Sequence, residues 1–145
     1  MKNLINCTPT EFITQTNKIR KSVQKWLKLT DIINIRKRMP KLIPMRNDMT
    51  GEEKAEAILK NKEARTAQAQ ENLNLMFDKM LEEYPEQTLE VIGLINFIEK
   101  EDLDKYKMID LITNTTEMLN DEAVIGFFGL LMRLASKNTS NAAVK

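Results

Sequence analysis

The 145-residue chain contains no histidine, one cysteine, four glycines and four prolines, and only 6% of it is aromatic. Each shortage excludes something. Without histidine there is no Ser-His or Cys-His nucleophilic pair, no imidazole-ligated zinc, and no general base of the commonest kind near neutral pH. Cys7 has no partner for an internal disulfide, so the fold needs no oxidising compartment. So little Gly and Pro leaves scant turn material for a β-sandwich or barrel, and at 42% apolar residues the chain is too hydrophobic to stay disordered. No apolar run approaches the roughly 18 residues that cross a bilayer. The first eight residues are too short in apolar content for a secretory core, so the product is expected in the cytoplasm. Neither GxGxxG nor a GxxxxGK phosphate loop occurs, and Asp102 and Asp104 lack the Gly and later Glu of a calcium loop. The expectation is an α-rich domain that needs no cofactor and no metal.

The charges that are present are unevenly placed. Residues 1–46 hold eleven Lys/Arg against Glu11 and Asp31, a surplus of nine, while the remainder sets eleven against nineteen, a deficit of eight. Opposite potentials of this kind attract, either within one molecule or between copies.

Helix signals are frequent. Thr8-Pro9-Thr10-Glu11 combines a cap, a preset φ at the first helical position and a capping-box partner. After it, Phe12, Thr16, Ile19, Val23, Trp26 and Leu27 recur at three- and four-residue steps to about residue 29, with Lys18, Lys21, Lys25 and Lys28 on the opposite face. A second helix capped by Thr30 or Asp31 is expected to run up to Pro40, burying Ile32, Ile33, Ile35 and Met39 and exposing Arg36, Lys37 and Arg38. Residues 41–50 read as a loop. Thr50-Gly51-Glu52-Glu53 is another capping box and opens a helix that can continue to Tyr84. Its first half has little to bury and is expected to protrude, fray or await a partner. Its second half carries Leu73, Met76, Phe77, Met80, Leu81 and Tyr84 as a core-facing stripe. Core helices follow over 86–98 and 108–119. Asp121 caps a last helix whose apolar residues cover nearly the whole circumference, placing it centrally or at an interface. Gly126 and Gly129 within it serve either a tight core crossing or a close approach by another backbone. The predicted fold is all-α, a compact bundle of about five to six helices with one long, partly protruding central helix. It forms one domain over 1–136, made of the basic part 8–40, the long helix 51–84 and the apolar helices 86–134, with a disordered tail at 137–145.

The segment Leu4-Ile5-Asn6-Cys7-Thr8-Pro9-Thr10-Glu11-Phe12 continues through Asn17-Lys18-Ile19-Arg20, Val23 and Trp26-Leu27 to Ile35-Arg36-Lys37-Arg38-Met39-Pro40. It resembles the small helical proteins of tail-gene clusters in tailed phages and prophages of Gram-positive bacteria. In length, helical character and acidic helical C-terminal part, the whole chain resembles a tail assembly chaperone. The resemblance implies a non-enzymatic protein of the host bacterial cytoplasm that binds the tape measure protein, keeps its long hydrophobic helices in solution, helps recruit tail tube subunits and is absent from the finished virion.

On that reading the client lies in a groove edged by Phe12, Ile19, Val23 and Trp26, with Trp26 either an anchor or simply core. Lys18, Lys21, Lys25, Lys28, Arg36, Lys37 and Arg38 then form a charged surface for self-association or a partner. Two other readings stay open: a nucleic-acid-binding regulator using the same cations, and a structural tail component retained in the particle. Against the first, Phe12 and Trp26 fall on the apolar stripe and offer no exposed stacking platform among the cations.

Overall fold

The computed structural model describes residues 1–143, with side chains through residue 136. The fold is all-α: helices make up 77% of it and no strand occurs among the described residues. In order the helices are α1 (Pro9–Thr30), α2 (Ile32–Arg36), α3 (Gly51–Phe77), α4 (Pro85–Ile95), α5 (Met108–Asn120) and α6 (Glu122–Ala143). A π-helical segment, Asp78–Glu83, extends α3 into a continuous central helix of 33 residues, and a 3-10 turn, Lys100–Lys105, links α4 to α5. No described helix is long and apolar enough to cross a membrane. The chain divides into two compact units, Met1–Val23 with Leu89–Lys145, and Gln24–Thr88.

In the first unit, α1 starts as its sequence requires. The Thr8 hydroxyl accepts from the Glu11 N–H at 3.3 Å and the Glu11 carboxylate accepts from the Thr8 N–H at 2.9 Å, a reciprocal capping box. Two apolar clusters fill the unit: Leu4, Met118 and Val124, flanked by Phe12, Ile19, Ile95 and Phe97, and Ile98, Leu103 and Leu111, flanked by Leu89 and Ile92. α4 ends in a Schellman motif: the Ile98 N–H returns to the Gly93 carbonyl at 3.0 Å and the Phe97 N–H to the Leu94 carbonyl at 3.3 Å. The left-handed position in this motif belongs to Phe97, φ 57°, where glycine is usual. Gly93 permits the turn instead, because a Cβ there would sit 2.9 Å from the Ile98 carbonyl oxygen.

The first unit also holds a chain of buried amides. Asn3 Nδ2–H donates to Asn114 Oδ1 at 2.6 Å, and Asn114 Nδ2–H donates to Asn96 Oδ1 at 2.7 Å and to the Lys2 carbonyl at 3.3 Å. Asn96 Nδ2–H reaches the Ile92 carbonyl at 2.8 Å and Thr115 Oγ1 at 3.0 Å. Residues more than a hundred positions apart are joined, and the segment before α1 is held against α5.

In the second unit, α2 is a single turn, entered through Asp31 in the left-handed region at φ 53° and ending at Arg36, well short of Pro40. This corrects part of the expected burial: Ile35 is buried, but Ile33 is exposed and Met39, beyond the helix, is 69% exposed. The expected loop at 41–50 is present, and Thr50 with Glu53 forms the capping box that starts α3.

The first half of α3 does not stand alone. Asn61 clasps Ile43 with two bonds, Ile43 N–H to Oδ1 at 2.8 Å and Nδ2–H to the Ile43 carbonyl at 3.0 Å, and buried Asn72 donates to the Arg38 carbonyl at 3.0 Å. From Asn61 to Asn72 a helix rises about 16 Å. From Arg38 to Ile43 an extended chain covers about the same length. The 38–43 segment therefore runs nearly straight and antiparallel along α3.

At about 100° per residue, Ala57, Asn61, Gln68 and Asn72 share the covered face, and Ala57 is only 3% exposed. Leu59, Leu73 and Phe77 lie across the helix and are exposed. The expected core stripe over the second half of α3 is thus corrected in part: Met76, Met80 and Tyr84 are half-buried, but Leu73, Phe77 and Leu81 are exposed. Further on, the Tyr84 N–H bonds the Lys79 carbonyl, five residues back, at 2.9 Å. That widened turn shifts the 3.6-residue register beyond Phe77, and Leu81 is exposed.

Candidate helix-docking surface

In the first unit, an apolar cleft of about 480 Å³ lies between the segment before α1, the start of α1 and the start of α6. Leu4, Ile5, Phe12, Ile13, Val124 and Phe127 line it, and Asp121 is the one carboxylate on its wall among the described residues. Asp121 is already engaged, since its carboxylate accepts from the Ala123 and Val124 N–H groups at 3.0 Å each and so caps α6. Phe12 meets Phe127 edge to face, with centroids 5.0 Å apart and planes at 89°, and Phe127 meets Phe128 at 5.5 Å. The amide chain through Asn3 and Asn114 fixes the wall that bears Leu4 and Ile5. Cys7 lies beside it, its Sγ 3.6 Å from the Leu4 carbonyl.

Next to this cleft, α6 carries its apolar residues away from the core. Val124, Phe127, Leu131 and Leu134 form one stripe at helical spacing. Val124 is buried and Phe127 half-buried, but Leu131 and Leu134 are exposed: the stripe runs past the end of its own core. Ile125, Phe128 and Met132 form a second stripe, also exposed, with Met132 at 73%. A helix apolar over most of its circumference belongs inside a protein or an assembly, yet Leu130, Leu131, Met132 and Leu134 of α6 are all exposed. A Cβ on Gly126 or Gly129 would meet nothing within 4 Å, so no other backbone among the described residues approaches there. The α6 backbone continues to Ala143 through the stretch expected to be a disordered tail, where no Pro or Gly stops the helix. Residues 144 and 145 lie outside the described residues.

The side chains expected to form the client groove have separate positions. Phe12 lines the cleft, and Ile19 packs on the Leu4, Met118 and Val124 cluster. Val23 is half-buried. Trp26, in the second unit, donates its indole N–H to Thr88 Oγ1 at 2.8 Å, and that hydroxyl in turn bonds the Met80 carbonyl at 2.8 Å. The Trp26 polar tip is thereby fixed within the unit. Lys18, Lys21, Lys25, Lys28, Arg36, Lys37 and Arg38 are all exposed. Arg36 and Arg38 border a second cleft, of about 420 Å³, which Arg65 of α3 completes.

Sequence reasoning missed Ile5 and Ile13 as surface apolar residues and missed Arg65. No sequence signal marks Arg65, because only the fold shows that the face it shares with Asn72, seven residues on, meets the 38–43 segment.

Electrostatic perturbations lie away from the apolar cleft's floor. Lys2, bonded to Glu11, together with the Thr8 N–H, lowers the Glu11 carboxyl from 4.5 to about 2. Lys2 also stands 5.5 Å from the Phe97 ring centroid. Lys60 lowers Glu56, and Lys79 and Lys105 are raised by Glu83 and Asp102. These are surface helix pairs, and no three His, Cys, Asp or Glu side chains converge as a metal site among the described residues. Comparison with protein-family models, curated proteins and solved structures finds no match to the chain.

Proposed function

We propose that the protein is a non-enzymatic docking protein for amphipathic helices, acting as a phage tail assembly chaperone that holds the tape measure protein in solution and helps recruit tail tube subunits. The observation that carries this reading is the apolar circumference of α6. Ile125, Phe128, Leu130, Leu131, Met132 and Leu134 are all exposed, a concentration of apolar side chains on one helix that marks an interaction surface on a soluble monomer. Long client helices carry matching apolar stripes, and a helix laid along α6 would cover both surfaces while its larger side chains enter the adjoining cleft. The aromatic pair Phe12 and Phe127 gives that cleft a rigid wall. Recognition by burial of greasy surface needs no general base, no nucleophile and no bound group.

Co-expression with the tape measure protein of the same tail-gene cluster tests the proposal. The expected result is a soluble client that co-purifies with the chain, and loss of both effects with Met132→Asp, whose side chain is too exposed for the change to unfold the protein. A client that stays insoluble, or that binds the variant equally well, overturns it. Salt-sensitive retention on DNA with no effect of the client would favour a nucleic-acid-binding regulator. Recovery of the chain in purified virions would favour a structural component.

A further inference from the structure

The second unit carries a surface that the chaperone reading does not use. Its cleft of about 420 Å³ is lined by three arginines, Arg36 and Arg38 from the α2 side and Arg65 from α3, together with the apolar Met39, Leu73 and Met76. No carboxylate lines it, and none of the three arginines has an ion pair among the described residues. The position is built rather than incidental. Buried Asn72, bonded to the Arg38 carbonyl at 3.0 Å and held on its other side by Gln68 at 2.9 Å, fixes the backbone that presents Arg38 and Met39.

From this geometry we infer that the cleft is the docking site for an acidic amphipathic segment of a partner protein, with an apolar side chain entering between Met39 and Leu73 and carboxylates engaging the arginines. Charge complementarity selects the occupant. Planar guanidinium forks match carboxylates in two-point contact, and three together with no internal acid leave a local positive potential that only an anionic partner neutralises. The apolar lining selects among anionic partners. Met39 and Leu73 are exposed, and their burial rewards an apolar side chain, which a phosphate backbone lacks. No aromatic ring lines the cleft to stack a base. The flexible methionines suit a partner defined by pattern more than by one shape.

The test uses the full chain and three labelled helical peptides of the same leucine pattern, one with glutamates flanking the leucines, one with glutamines and one with lysines, read by fluorescence anisotropy. A DNA duplex serves as competitor. The glutamate peptide is expected to bind saturably and more weakly as salt rises, with the glutamine and lysine peptides at least about tenfold weaker. The triple variant Arg36→Gln, Arg38→Gln, Arg65→Gln and the single variant Met39→Glu are expected to lose at least about tenfold while keeping wild-type circular dichroism. Lys37→Gln, an exposed cation that does not line the cleft, is expected to bind like wild type. Equal weakening by Lys37→Gln, equal binding of the glutamine peptide, or displacement by DNA at a lower concentration than the peptide itself would overturn the inference. So would dissociation of a self-associated wild type by the triple variant with no peptide binding in either, which would make a second copy the occupant. The result is independent of α6, so Met132→Asp should bind the glutamate peptide as wild type does.

Discussion

Asn114→Leu removes the centre of the buried amide chain that holds one wall of the apolar cleft. Asn114 accepts from Asn3 at 2.6 Å and donates to Asn96 at 2.7 Å, and those two partners are only 4% and 1% exposed. Leucine is close in size but offers neither donor nor acceptor, so the Asn3 amide N–H and the Asn96 carbonyl oxygen each lose a partner that water cannot replace. An orphaned buried polar group costs about 1–3 kcal/mol, so two cost about 2–6 kcal/mol. The added apolar contact of leucine returns about 1–2 kcal/mol. The net expectation is a loss of about 3 kcal/mol, measured by urea unfolding followed at the helical circular dichroism band. A double-mutant cycle sharpens the test: Asn3→Leu combined with Asn114→Leu removes both ends of the shortest bond and should cost clearly less than the two single losses added together. A single-variant loss below about 1 kcal/mol, or strict additivity in the cycle, would refute the claim that this chain is a closed, water-free network.

Glycine substitutions should have opposite signs. Gly93→Ala places a Cβ 2.9 Å from the Ile98 carbonyl and is expected to destabilise by about 1–3 kcal/mol, whereas Gly126→Ala and Gly129→Ala, in open space on α6, should each stabilise by up to about 1 kcal/mol in thermal or urea unfolding. The Thr16 hydroxyl is buried without a partner, so Thr16→Val should be neutral or stabilising by up to about 1 kcal/mol by the same assay. Glu11 has its carboxyl lowered from 4.5 to about 2 by Lys2 and the Thr8 N–H, so the folded state favours its charged form. Its contribution is complete above 4.5 and is lost as pH falls towards 2. The stability difference between wild type and Glu11→Gln should therefore shrink across that window in unfolding curves taken at stepped pH.

Local signals in the sequence carried a good part of the fold. The two capping boxes, Thr8 with Glu11 and Thr50 with Glu53, start α1 and α3 where their residue types require, and Asp121 caps α6. The length of the central helix was legible because no Pro or Gly interrupts 52–84. What stayed hidden depends on distant partners. Nothing near Asn61 or Asn72 announces that they clasp a strand-like segment 18 and 34 residues earlier, and that clasp decides which face of α3 is covered. The π-helical turn after Phe77 changes the period on which the stripe through Leu81 was counted. α4 ends at Ile95, and the left-handed position that closes it, Phe97, is marked by no glycine. At the candidate site, Phe12 and the apolar character of α6 were legible from periodicity, while the exposure of α6 was not, since periodicity gives a helix's faces and not how far its core extends. Arg65 was hidden because the cleft it completes joins segments far apart in sequence.

The central claim is that the exposed apolar surface of α6 and the cleft beside it receive a helix. Titration of the isotope-labelled chain with a synthetic amphipathic peptide bearing one leucine-rich face, followed by amide chemical shifts, tests it most directly. The account predicts saturable shifts concentrated at residues 123–134 and at Leu4, Ile5 and Ile13, with the amides of α3 unmoved. Shifts that never saturate, or that leave 123–134 unchanged while others move, would contradict it.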